Sequence, residues 1–205
     1  HVVRLTKGSD SVAFGAEGAA SVPGVVDGPT VTYADAFPGV DLRETAFIGG
    51  VKEELIVRSL PEAAPVYRFG LVLSPSLKPR LTDDGAVEIV RSGEAGEVVA
   101  VIPPGVAWEA DPADPPVPVE LRLVREGNDW FVDVVPDWEW MTDPSRVFPL
   151  TIDPQVNMGT GSGFPTAYDL YISTGNTGTW WDGALNSAGY SRPNSTTTHY
   201  YQEHI

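Results

Sequence analysis

Six carboxylates fall between residues 27 and 54: Asp27, Asp35, Asp41, Glu44, Glu53 and Glu54. Paired acids can do hydrolytic chemistry. Glycoside cleavage needs two carboxyl groups held about 5–9.5 Å apart beside a cleft. Glu53 and Glu54 are adjacent, so on a strand they point to opposite faces and cannot be that pair together. Asp41 and Glu53 would meet across a hairpin and are the candidate acid–base pair. A plainer reading competes with it. Arg43 and Lys52 fall among the acids, placing Glu44 near Lys52 and Arg43 near Glu53 or Glu54. Cross-strand charge pairs of this kind contribute roughly 0.2–1 kcal/mol each. A hairpin with a salt-bridged wet face accounts for the pattern without chemistry, and that reading is preferred.

Other candidate groups lie further on. Asp169, Asn176 and Asp182 sit in a Gly/Thr-rich setting, and turn-borne oxygens are what calcium prefers. Their spacing matches no fixed loop motif, so Ca2+ is the one cofactor considered and none is required. Trp180 and Trp181, with Tyr171 and Tyr190, form a candidate carbohydrate-stacking surface. Alternating aromatics also fill sandwich cores, which is the favoured alternative. The histidines stand at 1, 199 and 204. Chain ends hold a catalytic base poorly, so no His-based triad is expected. His199, Glu203 and His204 read as a polar strand or tail rather than a metal site. Asn194-Ser195-Thr196 is a glycosylation triplet only in a glycosylating host. There is no Gly-rich phosphate loop, nucleophile elbow or paired-histidine helix. With no Cys in 205 residues, thiolate zinc sites and cysteine nucleophiles are excluded.

The elements that must position these groups are strands. The chain has 21 Gly and 19 Pro, and prolines this evenly spread leave little room for long helices. Valine dominates the apolar set and suits a pleated surface. Strands are expected near Val2–Leu5, Ser11–Phe14, Thr30–Tyr33, Val40–Phe47, Val51–Ser59, Val66–Leu73, Ala86–Val90, Gly96–Ile102, Val119–Arg125, Trp130–Val135 and Val147–Ile152. Gly49-Gly50 supplies the turn of a hairpin, and Asp83-Asp84-Gly85 and Glu126-Gly127-Asn128-Asp129 make others. Pro103-Pro104-Gly105 should stop its strand. One short helix is expected over 137–142, capped by Asp137, with Trp138 and Met141 on one face. The spacing of strand signals predicts an all-β fold, an antiparallel β-sandwich or open barrel.

The texture changes near residue 154. Residues 1–154 carry 25 acids and 12 Lys/Arg, whereas 155–205 carry three acids and one Arg. The expected organisation is a β-rich domain over 1–154 and a partial second β-module over 155–205, with Ala167–Thr174 and Ala184–Ser191 as strands. A net charge of -15 repels phosphate backbones and anionic lipid, so neither nucleic acid nor membrane insertion is expected. No apolar run approaches the ~20 residues of a membrane span. The chain begins at His1 rather than Met and reads as a processed or excised fragment.

Two stretches carry a family resemblance. Phe37-Pro38-Gly39-Val40-Asp41-Leu42, followed by Gly50-Val51-Lys52-Glu53, resembles the N-terminal region of secreted bacterial RHS/YD-repeat proteins, including wall-associated, polymorphic-toxin types. "DPSRVFPLTIDPQV", 143–156, is similar to that family's Phe/Tyr-Pro-Val-Thr-Ile-Asp-Pro segment. Order and spacing agree over about residues 25–156. "AYDLYISTGNTGTWWDGALNSAGYSR" looks like the divergent start of a DNRLRE-type β-module. The resemblance implies a large secreted or cell-wall-associated bacterial protein whose YD-repeat shell precedes a C-terminal toxin. It attaches no catalytic residue to this region. The expectation is therefore a non-catalytic structural module, not an enzyme, that docks on or plugs the repeat shell of its own polypeptide. Cell-surface glycan binding and a carboxylate glycosidase are the alternatives.

Overall fold

The computed structural model describes residues 2–47, 49–93, 96–110 and 115–158 in full. It also describes strand segments 169–173, 178–182, 190–191 and 197–200 by backbone and register. In chain order the first elements are β1 (Val2–Lys7), β2 (Asp10–Ala16), β3 (Gly24–Asp27), β4 (Thr30–Phe37), β5 (Val40–Phe47) and β6 (Gly50–Val57). Then follow β7 (Tyr67–Leu73), β8 (Leu77–Leu81), β9 (Val87–Arg91), β10 (Val98–Ile102), β11 (Gly105–Glu109), β12 (Val117–Glu126) and β13 (Asp129–Val135). After them come α1 (Trp138–Thr142), β14 (Leu150–Asp153), β15 (Gln155–Met158), β16 (Asp169–Ser173), β17 (Gly178–Asp182), β18 (Tyr190–Ser191) and β19 (Thr197–Tyr200).

These strands form two sheets. The first runs β12–β13–β7–β2–β1–β16–β17–β19–β18. The second runs β3–β4–β5–β6, after which β14 and β15 share the far edge of β6. Beyond them β11 pairs with β14, while β10 pairs with β15 and continues to β9 and β8. β12 belongs to both sheets: Val117–Val119 pair with β11 and Glu120–Glu126 with β13. Such a strand turns the corner between two packed layers. Pairing is antiparallel among the described strands except between β17 and β19. Since β3 pairs only with β4 and β8 only with β9, the second sheet stays open rather than closing into a barrel.

The alternation that predicts strands also builds the core. Val3, Leu5, Phe14, Phe69 and Val132 from the first sheet join Val31, Leu42, Leu55 and Ile152 from the second in one buried cluster. Phe14 and Phe69 stack with ring centres 4.6 Å apart. The helix forms where expected. Asp137 accepts from the backbone N–H groups of Glu139 and Trp140, and Met141 is buried. Its side-chain oxygen satisfies donors that the first helical turn would otherwise leave open.

Six strands escape the sequence pattern, β17 and β19 among them. Pro103-Pro104 stops β10 at Ile102 as expected, but β11 begins at Gly105 directly after it. β8 contains Pro79, which an edge strand tolerates since only one side of it must donate. β3 is short and mostly exposed, so it lacks the buried alternation that marks a strand. β15 follows Asp153-Pro154 immediately and pairs with both β6 and β10. The strand expected over Val147–Ile152 starts late, at Leu150, and runs to Asp153.

Candidate functional site

The β5–β6 hairpin carries the acids, and its register decides what they do. Gly49 turns with φ of 95°, a conformation suited to glycine. Phe47 pairs with Gly50, and counting back from there sets Glu44 opposite Glu53 and Arg43 opposite Glu54. Asp41 pairs with Ile56, so the expected pair of Asp41 and Glu53 does not form. Asp41 instead receives Arg58 Nη1 at 2.6 Å and the backbone N–H of Asp35 at 2.8 Å. Arg58 also binds Asp35, whose φ of 53° marks an irregularity in β4. Asp41 thus fixes a bulge on the rim. The expected pairing of Glu44 with Lys52 is also replaced, because Lys52 lies opposite Thr45.

The three glutamates expected on a wet face are buried. Glu44 and Glu53 are each 1 % exposed and Glu54 is 7 % exposed. Glu44 shares the core side of β5 with Val40, Leu42 and Ala46, while Glu53 shares that of β6 with Val51, Leu55 and Val57. The Tyr33 hydroxyl donates to Glu44 Oε2 at 3.3 Å. Glu53 Oε2 is buried with no hydrogen-bond partner. Burial pushes the Glu44 carboxyl up to about 8, against the pull of the Tyr33 hydrogen bond. Burial raises Glu53 well above the usual carboxylate range, and the neighbouring charges of Glu44 and Asp153 raise it further.

Glu54 and Asp153 lie on the opposite face and are held by cations. Arg43 Nε binds Glu54 Oε2 at 2.8 Å, one of the two pairings foreseen for Arg43. Lys52 Nζ bridges Glu54 at 3.2 Å and Asp153 at 3.3 Å, and stands 4.7 Å from the centre of the Trp108 ring. Burial lifts Asp153 to about 6 although Lys52 pulls it down. Elsewhere Glu109 accepts from Arg146 and from the Val147 backbone, and Asp10 takes both nitrogens of the Arg91 fork. The basic side chains named here are engaged by carboxylates. An open groove of about 470 Å³ is lined by Pro104, Pro118, Pro136, Asp84, Glu120 and Asp137 among others, with no Lys or Arg.

The remaining candidates fall in the strand segments after 168. Asp169 and Asp182 are register partners across β16 and β17, as are Tyr171 and Trp180. Trp181 pairs with Leu170 and Tyr190 with Tyr200. Asn176, His204, Glu203 and residues 194–196 lie outside the described residues. Among the described residues no group of three or more His, Asp or Glu side chains could hold a metal ion. None of their helices is long and apolar enough to cross a membrane. Sequence reasoning missed Tyr33 and Trp108 as partners of this cluster, and missed the facing of Glu44 and Glu53.

Fold and site together define an antiparallel two-sheet β domain with a carboxyl pair facing its own core. The chain is 26 % identical over 145 residues to a protein named tRNA nuclease WapA from Bacillus subtilis (strain 168). At the same identity and length it is similar to a tRNA(Glu)-specific nuclease WapA from Bacillus subtilis subsp. natto and to a tRNA3(Ser)-specific nuclease WapA from Bacillus spizizenii. Each match covers 66 % of this chain and 6 % of the relative, so the chain spans a small part of their length. No family model matches it, and no solved structure does.

These relatives correct three expectations. A non-catalytic docking module, a protein that is not an enzyme, and partners without nucleic acid all conflict with relatives that are named nucleases of tRNA. The physical reason is one of scale. A charge of -15 describes the field around 205 residues and not that around a much longer polypeptide.

Proposed function

We propose that this chain is one section of a toxin-like nuclease that acts on tRNA, made as a secreted or wall-associated bacterial protein. The observation that carries the reading is the 145-residue match to proteins named as tRNA nucleases. The RHS-like order of Phe37–Leu42, Gly50–Glu53 and 143–156 supports export as part of a large polypeptide. The cleaving activity and its substrate belong to that whole polypeptide, of which the relatives are the longer examples.

The test uses the whole polypeptide. Purified and incubated with total tRNA, it should convert intact tRNA into discrete fragments, and fractionation should find it in the medium or wall. Intact tRNA after prolonged incubation with folded protein would overturn the nuclease reading. Retention of the polypeptide in the cytosol would overturn the export reading separately.

A further inference from the structure

Glu44 and Glu53 face one another at the centre of the second sheet, since β6 is bonded to β5 on one side and to β14 and β15 on the other. Directly opposed residues of antiparallel strands hold their Cβ atoms about 4.5–5.5 Å apart. Around the pair stand Leu42, Ala46, Val51 and Leu55, all buried. The Tyr33 hydroxyl reaches Glu44 from β4, and one oxygen of Glu53 has no partner. The nearby cations Arg43 and Lys52 are occupied on the other face by Glu54 and Asp153.

The charges bearing on the pair from neighbouring elements are few. Asp153, at the end of β14, adds repulsion. A metal would need more donors than the described residues gather here. Two carboxylates at this separation in an apolar setting cannot both be ionised at small cost. Protons are then what neutralise the pair.

We propose that Glu44 and Glu53 form a proton-gated latch on the β5–β6 hairpin: the strands stay sealed while the pair is protonated and loosen when both carboxylates become charged. Loosening would begin at the strand that joins β5 to β14 and β15, so the middle of the second sheet opens before its edges. This device is independent of the nuclease reading.

Backbone hydrogen exchange on the 205-residue chain tests it. After correction for the intrinsic exchange rate, protection of β5 and β6 amides should fall about tenfold or more between about pH 6 and about pH 9, with amides of β7 and β13 falling less. In the Glu44→Gln, Glu53→Gln double variant that selective fall should vanish. An equal fall in wild type and variant, or none in wild type, would overturn the latch. If the variant does not fold, carbon-13-labelled glutamate in the wild type decides. Two carboxyl resonances that stay protonated up to about neutral pH support the latch, and glutamates that all titrate in the ordinary acid range sink it.

Discussion

Glu53 is a carboxyl group with one oxygen that reaches no donor. A buried polar atom left unpaired costs about 1–3 kcal/mol, and more when charged. Glu53→Met should therefore stabilise the domain by ~1–3 kcal/mol near pH 8, read as a higher urea midpoint with an unchanged slope. Stability against pH has a definite sign here. The Glu44 carboxyl is raised from its ordinary 4.5 to about 8, so the folded chain binds the proton more tightly than the unfolded one. That contribution is fully present below 4.5 and is lost as pH rises through about 8. Melting temperature should thus fall from mildly acidic to mildly alkaline solution, and a flat profile would contradict the burial of the pair. Glu44 was legible in the sequence, since it occupies an even-numbered place in the apolar series Val40, Leu42, Ala46. The presence of Arg43 and Lys52 nearby drew it wrongly to the wet face. Tyr33 and Trp108 were not legible as partners, because the contact depends on how strands β4 and β11 are placed beside the hairpin.

Among the elements, β6 bears the most constraint, and Gly50 shows why. A Cβ there would come within 2.2 Å of the Val156 carbonyl oxygen and 2.8 Å of the Phe47 ring. The first is backbone held in the β6–β15 ladder, so turning a side chain cannot relieve that clash. Gly50→Val should cost at least about 2–3 kcal/mol and strip exchange protection from β15 as well as β6. Asp137→Ala removes the cap of α1 and should cost ~1 kcal/mol without altering the sheets. A thermal melt with unchanged far-ultraviolet strand signal checks the second prediction. Most elements were readable because turns such as Asp83-Asp84-Gly85 and hairpins such as β12–β13 are set by local chemistry. β11 and β15 were not, since each begins immediately after proline and earns its strand geometry from distant partners, β14 for one and β6 for the other. The Asp41–Glu53 pair failed for the same reason: facing partners follow from register, and register follows from the turn.

At the scale of the whole molecule, the all-β architecture was legible from Gly, Pro and Val content, while the proposed nuclease reading rests on the relatives alone. Composition describes the field of 205 residues, and the relatives extend far beyond that length. An acidic section with its named arginines in ion pairs is compatible with a tRNA nuclease when RNA is met elsewhere along the polypeptide. The most direct measurement is a time course of intact tRNA on a denaturing gel, with purified whole polypeptide added to total tRNA. Progressive loss of full-length tRNA into discrete fragments is the predicted result. Full-length tRNA that persists unchanged beside a demonstrably folded polypeptide would contradict the central claim.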